Sequence, residues 1–145
     1  MKVLLQRVQW AKVEVDQKVV GEIDAGLLVF LGVEKNDNEA LADKLLQKLL
    51  AYRVFSDDDG KMNRSLADVE GGLLVVSQFT LVANTGKGLR PSFSRGAAPD
   101  HAQQLYQYFL NVAKQKHGVV ESGVFAADMQ VSLLNDGPVT FLLDA

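Results

Sequence analysis

Cysteine is absent from the 145-residue sequence, and histidine is scarce, with two copies. The lack of cysteine excludes disulfide bonds, thiolate zinc sites and cysteine nucleophiles together. It is compatible with a reducing compartment. A chain of this length can bury a substantial core, so we expect a single domain that spans residues 1–145.

Long apolar runs are also absent. The longest, "GLLVFLGV" at residues 26–33, is far too short to span a bilayer. The N-terminal region places Lys2 and Arg7 around only a few apolar residues, and it lacks the hydrophobic region of a signal peptide. We therefore expect a cytoplasmic protein without a membrane partner.

Acidic residues outnumber basic ones, and the formal net charge is −3 with a pI of about 5.3. This balance argues against a generic nucleic-acid binder, and no DNA partner is expected. Residues 71–99, however, contain Lys87, Arg90 and Arg95 but no Asp or Glu. This segment carries +3 and the remainder −6, so it forms either a flexible solvated loop or a contact with a phosphate group.

Hydrophobic periodicity predicts an α+β domain. Residues 1–23 alternate as two or three strands with turns near Trp10 and Ala11 and near Asp16 and Gln17, and residues 26–33 are typical of a strand buried on both faces. Residues 71–83 predict another buried strand. The segments "MQVSLLN" and "VTFLLD" predict a C-terminal hairpin.

Residues 36–55 and 99–118 have apolar side chains at helical spacing and predict two main helices. Pro99 suits the first turn of the second helix, whereas Ala98 before it is a poor N-cap. The order of elements favours a mixed or largely antiparallel, barrel-like sheet.

The usual side chains of catalysis are missing. No serine lies in a G-x-S-x-G context, no H-E-x-x-H or P-loop motif is present, and His101 and His117 are expected at the surface. The carboxylates of residues 57–59 resemble a calcium loop only superficially, because the ligand alternation fails at Lys61. We expect no metal or cofactor, and an enzyme with this inventory must act through positioning and backbone dipoles on a reactive substrate.

Two polar motifs interrupt apolar stretches. In "VVSQFTL", Ser77, Gln78 and Thr80 follow a Leu-Leu-Val-Val run, which is also the pattern of a strand that leaves the core with a wet face. In "NDGPVT", residues 135–138 suit a hairpin loop, although Pro138 removes a backbone donor where a strand should resume pairing. Each motif is either a plain structural feature or part of a site.

These motifs, together with "LLQRV", "GLLVFLGVEK", "YRVFSDDDGKMN", "RPSFSRGA" and "FAADM", closely resemble the D-aminoacyl-tRNA deacylases of the bacterial and eukaryotic type. The resemblance covers essentially the whole chain, and "SQFTL" followed by "NDGPVT" is its most specific part. It implies a homodimeric, cytoplasmic esterase that removes D-amino acids from the terminal adenosine of tRNA. It also implies action on glycine mischarged on tRNA(Ala).

The resemblance further implies which residues form the site. The Gly137-Pro138 peptide would be cis and would reach into the partner subunit's active site, with Arg7 beside it and Asn135 and Thr140 in support. The pocket would contain Ser77, Gln78, Phe79, Thr80, Phe125 and Met129. The carbonyl of Gly137 would hold the substrate ammonium, and Pro138 would block the side of Cα that an L side chain occupies.

An aminoacyl ester is already activated, so the enzyme mainly has to hold it, stabilise the oxyanion and admit water. We expect backbone N–H groups around Phe79 and Thr80 to contact the oxyanion, with Gln78 as a further catalytic candidate. Thr80 Oγ is less favoured as a nucleophile because no base lies nearby in the sequence.

Two other interpretations remain open. A noncatalytic module could bind an RNA 3′ end through residues 87–95, and its binding would depend on salt without ester turnover. A structural dimer with the C-terminal hairpin as its interface would be indifferent to RNA. Hydrolysis of D-tyrosyl-tRNA would separate an esterase from both.

Overall fold

A six-stranded mixed sheet organises the molecule, and the computed structural model describes all of residues 1–145. The strands of this sheet are β1 (Lys2–Val15), β2 (Lys18–Ile23), β3 (Gly26–Gly32), β6 (Gly72–Ser77), β7 (Val120–Ser122) and β8 (Gln130–Asp144). Strands β4 (Phe55–Ser56) and β5 (Met62–Arg64) form a separate small hairpin. The helices are α1 (Glu39–Ala51), α2 (Leu66–Val69) and α3 (Pro99–Lys116), together with a 3₁₀ helix at Phe79–Val82.

Strand β1 lies at the centre of the sheet. Strands β3 and β2 follow one another along one edge of β1, and β8 runs along the other edge, all antiparallel to it. Strand β6 continues the sheet parallel to β3, and β7 lies parallel to β6. A Cβ on Gly21 would lie 2.5 Å from the carbonyl oxygen of Ser122, so β2 comes close to β7 and the sheet nearly closes into a barrel. The predicted α+β domain with a mixed, barrel-like sheet is confirmed.

Both faces of the two central parallel strands are buried. On β3, Leu27 and Val29 belong to the larger apolar cluster, which α1 and α3 cover, while Leu28 belongs to a smaller cluster on the other face. The continuous apolar run of β3 therefore has the burial that its sequence predicts. Met129 and Val131 pack against the smaller cluster.

The two predicted main helices are present as α1 and α3. The side chain of Asn38 accepts a hydrogen bond from the N–H of Leu41 at 2.9 Å and caps α1. Pro99 is the first residue of α3, and the preceding Ala98 offers no side-chain cap. None of the helices has the length and apolar character needed to cross a membrane.

Two expectations for the strands are wrong. The turn at Asp16 and Gln17 is present, with φ of 49° and 66°, but β1 continues without a break through Trp10 and Ala11. The C-terminal hairpin is absent, because β8 is a single strand that pairs with β1 from Glu14–Gln130 to Lys2–Asp144. The pairing of β1 with β8 shifts register on each side of Val8, opposite the polar residues of β8. A long strand with a bulge therefore replaces the two short strands.

Two local features add detail to the fold. Residues 57–61 form the loop of the β4–β5 hairpin, and the Asp57 carboxylate accepts bonds from the Lys61 N–H and the Asn63 amide, both at 2.9 Å. The hydrogen bond from Asn63 is the main cause that lowers the pKa of Asp57. The histidines are partly buried at the surface: His101 Nε2 donates to the carbonyl of Asp37, and His117 Nε2 to that of Gly71.

Candidate active site

One cavity brings together most of the predicted pocket residues. It has a volume of about 530 Å³ and lies where the parallel strands β3 and β6 end. Its lining is mainly apolar, and it includes Ser77, Gln78, Phe79, Phe125 and Met129. Thr80 is not part of this lining. An apolar cavity with a few polar groups at one end is the usual form of a small-molecule site.

The "SQFT" segment changes from strand to 3₁₀ helix at the mouth of the cavity. Gln78 N–H donates to the carbonyl of Leu31 at 2.8 Å, and the chain then enters the 3₁₀ helix. The N–H groups of Phe79 and Thr80 come first in this helix and have no acceptor within the protein. Two backbone donors are therefore free at the start of the 3₁₀ helix, where Phe79 lines the cavity and Thr80 follows it.

Close packing holds this 3₁₀ helix against β3. A Cβ on Gly32 would lie 2.8 Å from Val82 Cγ1, 3.2 Å from Leu81 Cβ and 3.3 Å from the carbonyl oxygen of Gln78. These distances leave no space for a side chain at the end of β3. Gly32 thereby allows the backbone of residues 78–82 to approach the strand.

Side chains able to act as a base at neutral pH are missing from the cavity wall. Tyr106 is the one titratable residue in the lining, and its hydroxyl donates to the carbonyl of Val75 at 2.9 Å. Burial raises the pKa of Tyr106 to about 12, so it stays protonated in the physiological range. Thr80 Oγ1 accepts a hydrogen bond from Gln78 Nε2, and both histidines are bonded to carbonyls elsewhere.

The Gly137-Pro138 peptide is cis, in agreement with what the resemblance implies. It lies in the bulge of β8, which we term the corner (residues 135–140). Arg7 Nε donates to the carbonyl of Asp136 at 3.0 Å, and Arg7 Nη1 donates to the carbonyl of Val54 at 2.8 Å. Arg7 thus ties the corner to the segment before β4.

Side chains within the corner also hold its backbone. Asn135 Oδ1 accepts from the N–H of Val139 at 3.1 Å, and Asn135 Nδ2 donates to Thr140 Oγ1 at 3.1 Å. Gln6 Nε2 on β1 donates to the same hydroxyl at 3.3 Å. With these contacts the corner presents Gly137 and Pro138, which are both exposed.

The basic loop (residues 87–95) extends beyond a short bridge between Asn84 and Ser92, whose backbone groups bond in both directions at 2.7 and 3.0 Å. Lys87, Arg90 and Arg95 are exposed and form no salt bridge. Their charges are available to an external anion.

A model of the D-Tyr-tRNA(Tyr) deacylase family matches residues 4–144. The chain belongs to this family. A protein named D-aminoacyl-tRNA deacylase from Cellvibrio japonicus is 64% identical over 141 residues, with 97% of each chain covered. A solved structure named c-Myc DNA unwinding element binding protein is 34% identical, with a TM-score of 0.96 over 100% of this chain and 99% of its own. A probable eukaryotic D-amino acid tRNA deacylase, 19% identical with a TM-score of 0.90 over 99% and 98% of the two chains, shares the fold.

Within this single chain, the "SQFT" segment and the corner lie apart. No residue beyond Val131 lines the cavity, so Gly137 and Pro138 do not contribute to the cavity of their own chain. Joint action of the corner and the "SQFT" segment therefore requires a second copy, and it stays a prediction.

Two features of the site carry no recognisable signal in the sequence. Phe93 lines the cavity beside Phe79, and Gly32 sets the position of the 3₁₀ helix. An isolated Phe in an irregular loop follows no period, and a Gly at the end of a strand carries no signal about its neighbours. The packing of β3 against residues 78–82 reveals the role of Gly32, and the cavity wall reveals that of Phe93.

Proposed function

We propose that this chain hydrolyses the ester bond of D-aminoacyl-tRNA and releases free tRNA and the D-amino acid. Family membership supports the reaction class. The observation that carries the proposal is the pair of free N–H groups at Phe79 and Thr80 beside an apolar cavity that has no side-chain base. Such a site suits an ester that is already activated.

The chemistry follows from this arrangement. Water attacks the ester carbonyl, and the N–H groups of Phe79 and Thr80 stabilise the negative charge that develops on the carbonyl oxygen. The tetrahedral intermediate then collapses, and the ribose oxygen leaves and takes up a proton. Thr80 has only Gln78 as its partner and therefore no base that could accept a proton. The vicinal ribose hydroxyl of the substrate orients the water and relays the proton instead.

Chiral selection comes from the corner of a partner subunit in a homodimer. The carbonyl of Gly137 binds the substrate ammonium, and Pro138 occupies the space that an L side chain would need. A D side chain points away, and glycine has no side chain to exclude. Glycine mischarged on tRNA(Ala) is therefore a second substrate. Exposure of both corner residues and their attachment through Arg7 and Asn135 support this role.

The acceptor end of tRNA contacts the basic loop through its phosphates, in the cytoplasm where tRNA is charged. Replacing Lys87, Arg90 and Arg95 together by Gln should weaken tRNA binding and reduce the slope of log K against log salt by about two to three. Replacing Lys114 and Lys116 at the far end of α3 is the control and should leave the slope unchanged. An unaltered slope in the triple variant would make the loop a solvated surface only.

Release of tyrosine from D-tyrosyl-tRNA and L-tyrosyl-tRNA tests the function directly. We expect kcat/KM to favour the D substrate at least about a hundredfold, because an L side chain would overlap a fixed backbone. Glycyl-tRNA should also be cleaved. Salt-dependent binding without turnover would favour the noncatalytic RNA module, and equal rates for D and L substrates would contradict the proposed filter.

A further inference from the structure

Two aromatic side chains are exposed together at the rim of the cavity. Phe79 is 68% exposed and Phe93 is 44% exposed, and their ring centroids lie 5.1 Å apart with a tilt of 50°. We term them the aromatic pair. Large apolar groups that remain exposed side by side mark a binding surface more often than isolated ones do.

The charge around the aromatic pair indicates what it binds. Phe93 lies within the basic loop, between Arg90 and Arg95, and no Asp or Glu occurs in residues 71–99. The remainder of the chain is acidic. Aromatic rings beside unpaired cations are the arrangement with which proteins bind single-stranded nucleic acid, because every base has a face that can stack.

The size of the cavity limits what it can hold. A volume of about 530 Å³ is in the range that accommodates one small molecule. An aminoacyl-adenosine fills such a space, so the nucleotide before it must lie outside. The RNA backbone that leads to that nucleotide must leave the cavity at its rim, where the aromatic pair lies.

We propose that the aromatic pair stacks the base of the nucleotide that precedes the terminal adenosine of tRNA. This inference rests on the proposed function and adds a second nucleotide subsite to it. Stacking accepts any base, so the subsite anchors the RNA end without selecting a sequence. The cations of the basic loop contact the phosphates that flank the stacked base.

The test compares two D-tyrosyl esters with the same reacting group. One is the ester of adenosine alone, and the other is the ester of the trinucleotide CCA. In the unaltered protein, kcat/KM should be higher for the trinucleotide. Phe93→Ala should lower the ratio of kcat/KM for the trinucleotide ester to kcat/KM for the adenosine ester about tenfold, which corresponds to ~1.4 kcal/mol. Phe93→Tyr should restore the ratio, because it retains the ring.

A trinucleotide that lacks only the base next to the adenosine provides the matched substrate control. For the unaltered protein, kcat/KM should be about tenfold lower with this substrate than with the complete trinucleotide. For Phe93→Ala, the two substrates should have the same kcat/KM. Val119→Ala is the matched protein control, because Val119 is an exposed apolar residue beside Leu73, at the end of β6 away from the cavity. Its ratio should equal that of the unaltered protein.

Each contrary result overturns a different statement. Equal kcat/KM for both esters in the unaltered protein, or an unchanged ratio in Phe93→Ala, would overturn the stacking subsite and leave the deacylase function intact. A change of oligomeric state in Phe93→Ala, measured by sedimentation, would assign the pair to a subunit interface instead. Failure of the unaltered protein to cleave either ester would overturn the proposed function itself.

Discussion

The two polar motifs of this chain use backbone and side chains in opposite ways. At residues 77–80 the side chains of Gln78 and Thr80 bond to each other, and the N–H groups of Phe79 and Thr80 are free. At the corner, the side chains of Arg7 and Asn135 form hydrogen bonds that hold the backbone in place. The first motif should therefore be sensitive to displacement of its backbone, and the second to loss of its side chains.

The largest effect is expected from Gly32→Ala, which tests the backbone of the "SQFT" segment. The new methyl group would overlap Val82 Cγ1 and push the 3₁₀ helix away from β3. A displacement of about 1 Å in a catalytic group can lower turnover about a hundredfold. We expect a loss of this size in kcat on D-tyrosyl-tRNA, measured by tyrosine release.

A second substitution makes this test specific. Val82→Ala removes the overlapping methyl group, so the Gly32→Ala/Val82→Ala variant should regain most of the lost kcat. Val82→Ala alone serves as the control for the cavity that the substitution leaves. If the double variant is as inactive as Gly32→Ala, displacement of the helix is not the cause.

An intermediate effect is expected from Arg7→Ala, which removes a side chain from the corner. Arg7 is 13% exposed, and its guanidinium bonds to two carbonyls, so its loss should lower the free energy of unfolding by about 2 kcal/mol. We expect the D-over-L selectivity to fall about tenfold as the corner loosens. Urea denaturation and the two tyrosyl-tRNA rates measure these effects.

Two further variants serve as comparisons for Arg7→Ala. Arg7→Lys keeps the charge but cannot bridge both carbonyls, so it should restore neither stability nor selectivity fully. Arg64→Ala removes an exposed arginine whose salt bridge is to the exposed Asp58, and it should change neither property measurably. Full selectivity in Arg7→Ala would show that the corner does not depend on this anchor.

The smallest effect is expected from Thr80→Ala. The hydroxyl of Thr80 has no base beside it and accepts its bond from Gln78, so it is not equipped as a nucleophile. We expect kcat to fall no more than about tenfold. A loss of about 10⁴-fold, as seen when a true nucleophile is removed, would reverse the contrast between the two motifs.

Local patterns predicted most of the helices and buried strands but not the length of the strands. The apolar run of β3 and the leucine spacing of α1 are signals carried by neighbours in the sequence. The continuity of β1 through Trp10, and of β8 through Pro138, depends on pairing between distant segments, which local periodicity does not contain. Local patterns likewise do not contain the hydrogen bonds of His101 and His117, because their acceptors are backbone carbonyls far along the chain.

The site was predictable where a motif named it. Ser77, Gln78, Phe79, Phe125 and Met129 do meet in one cavity. The lack of a catalytic base in the sequence also predicts that catalysis depends on backbone groups, and this stays a prediction. What the sequence does not contain is the free state of two N–H groups and the tight contact at Gly32, since both arise from how the 3₁₀ helix packs on β3.

The long pairing between β1 and β8 has a consequence for the order of folding. It joins residues as far apart as Lys2 and Asp144, whereas β3 and β6 close a much shorter loop. Closing the longer loop carries the larger entropic penalty, so we expect the β8 ladder to form late and to exchange its amide protons early. The corner belongs to that ladder and the free N–H groups do not. On the proposed mechanism, a molecule whose β8 opens transiently would still polarise an ester but would no longer distinguish D from L, so fidelity would fail before turnover does.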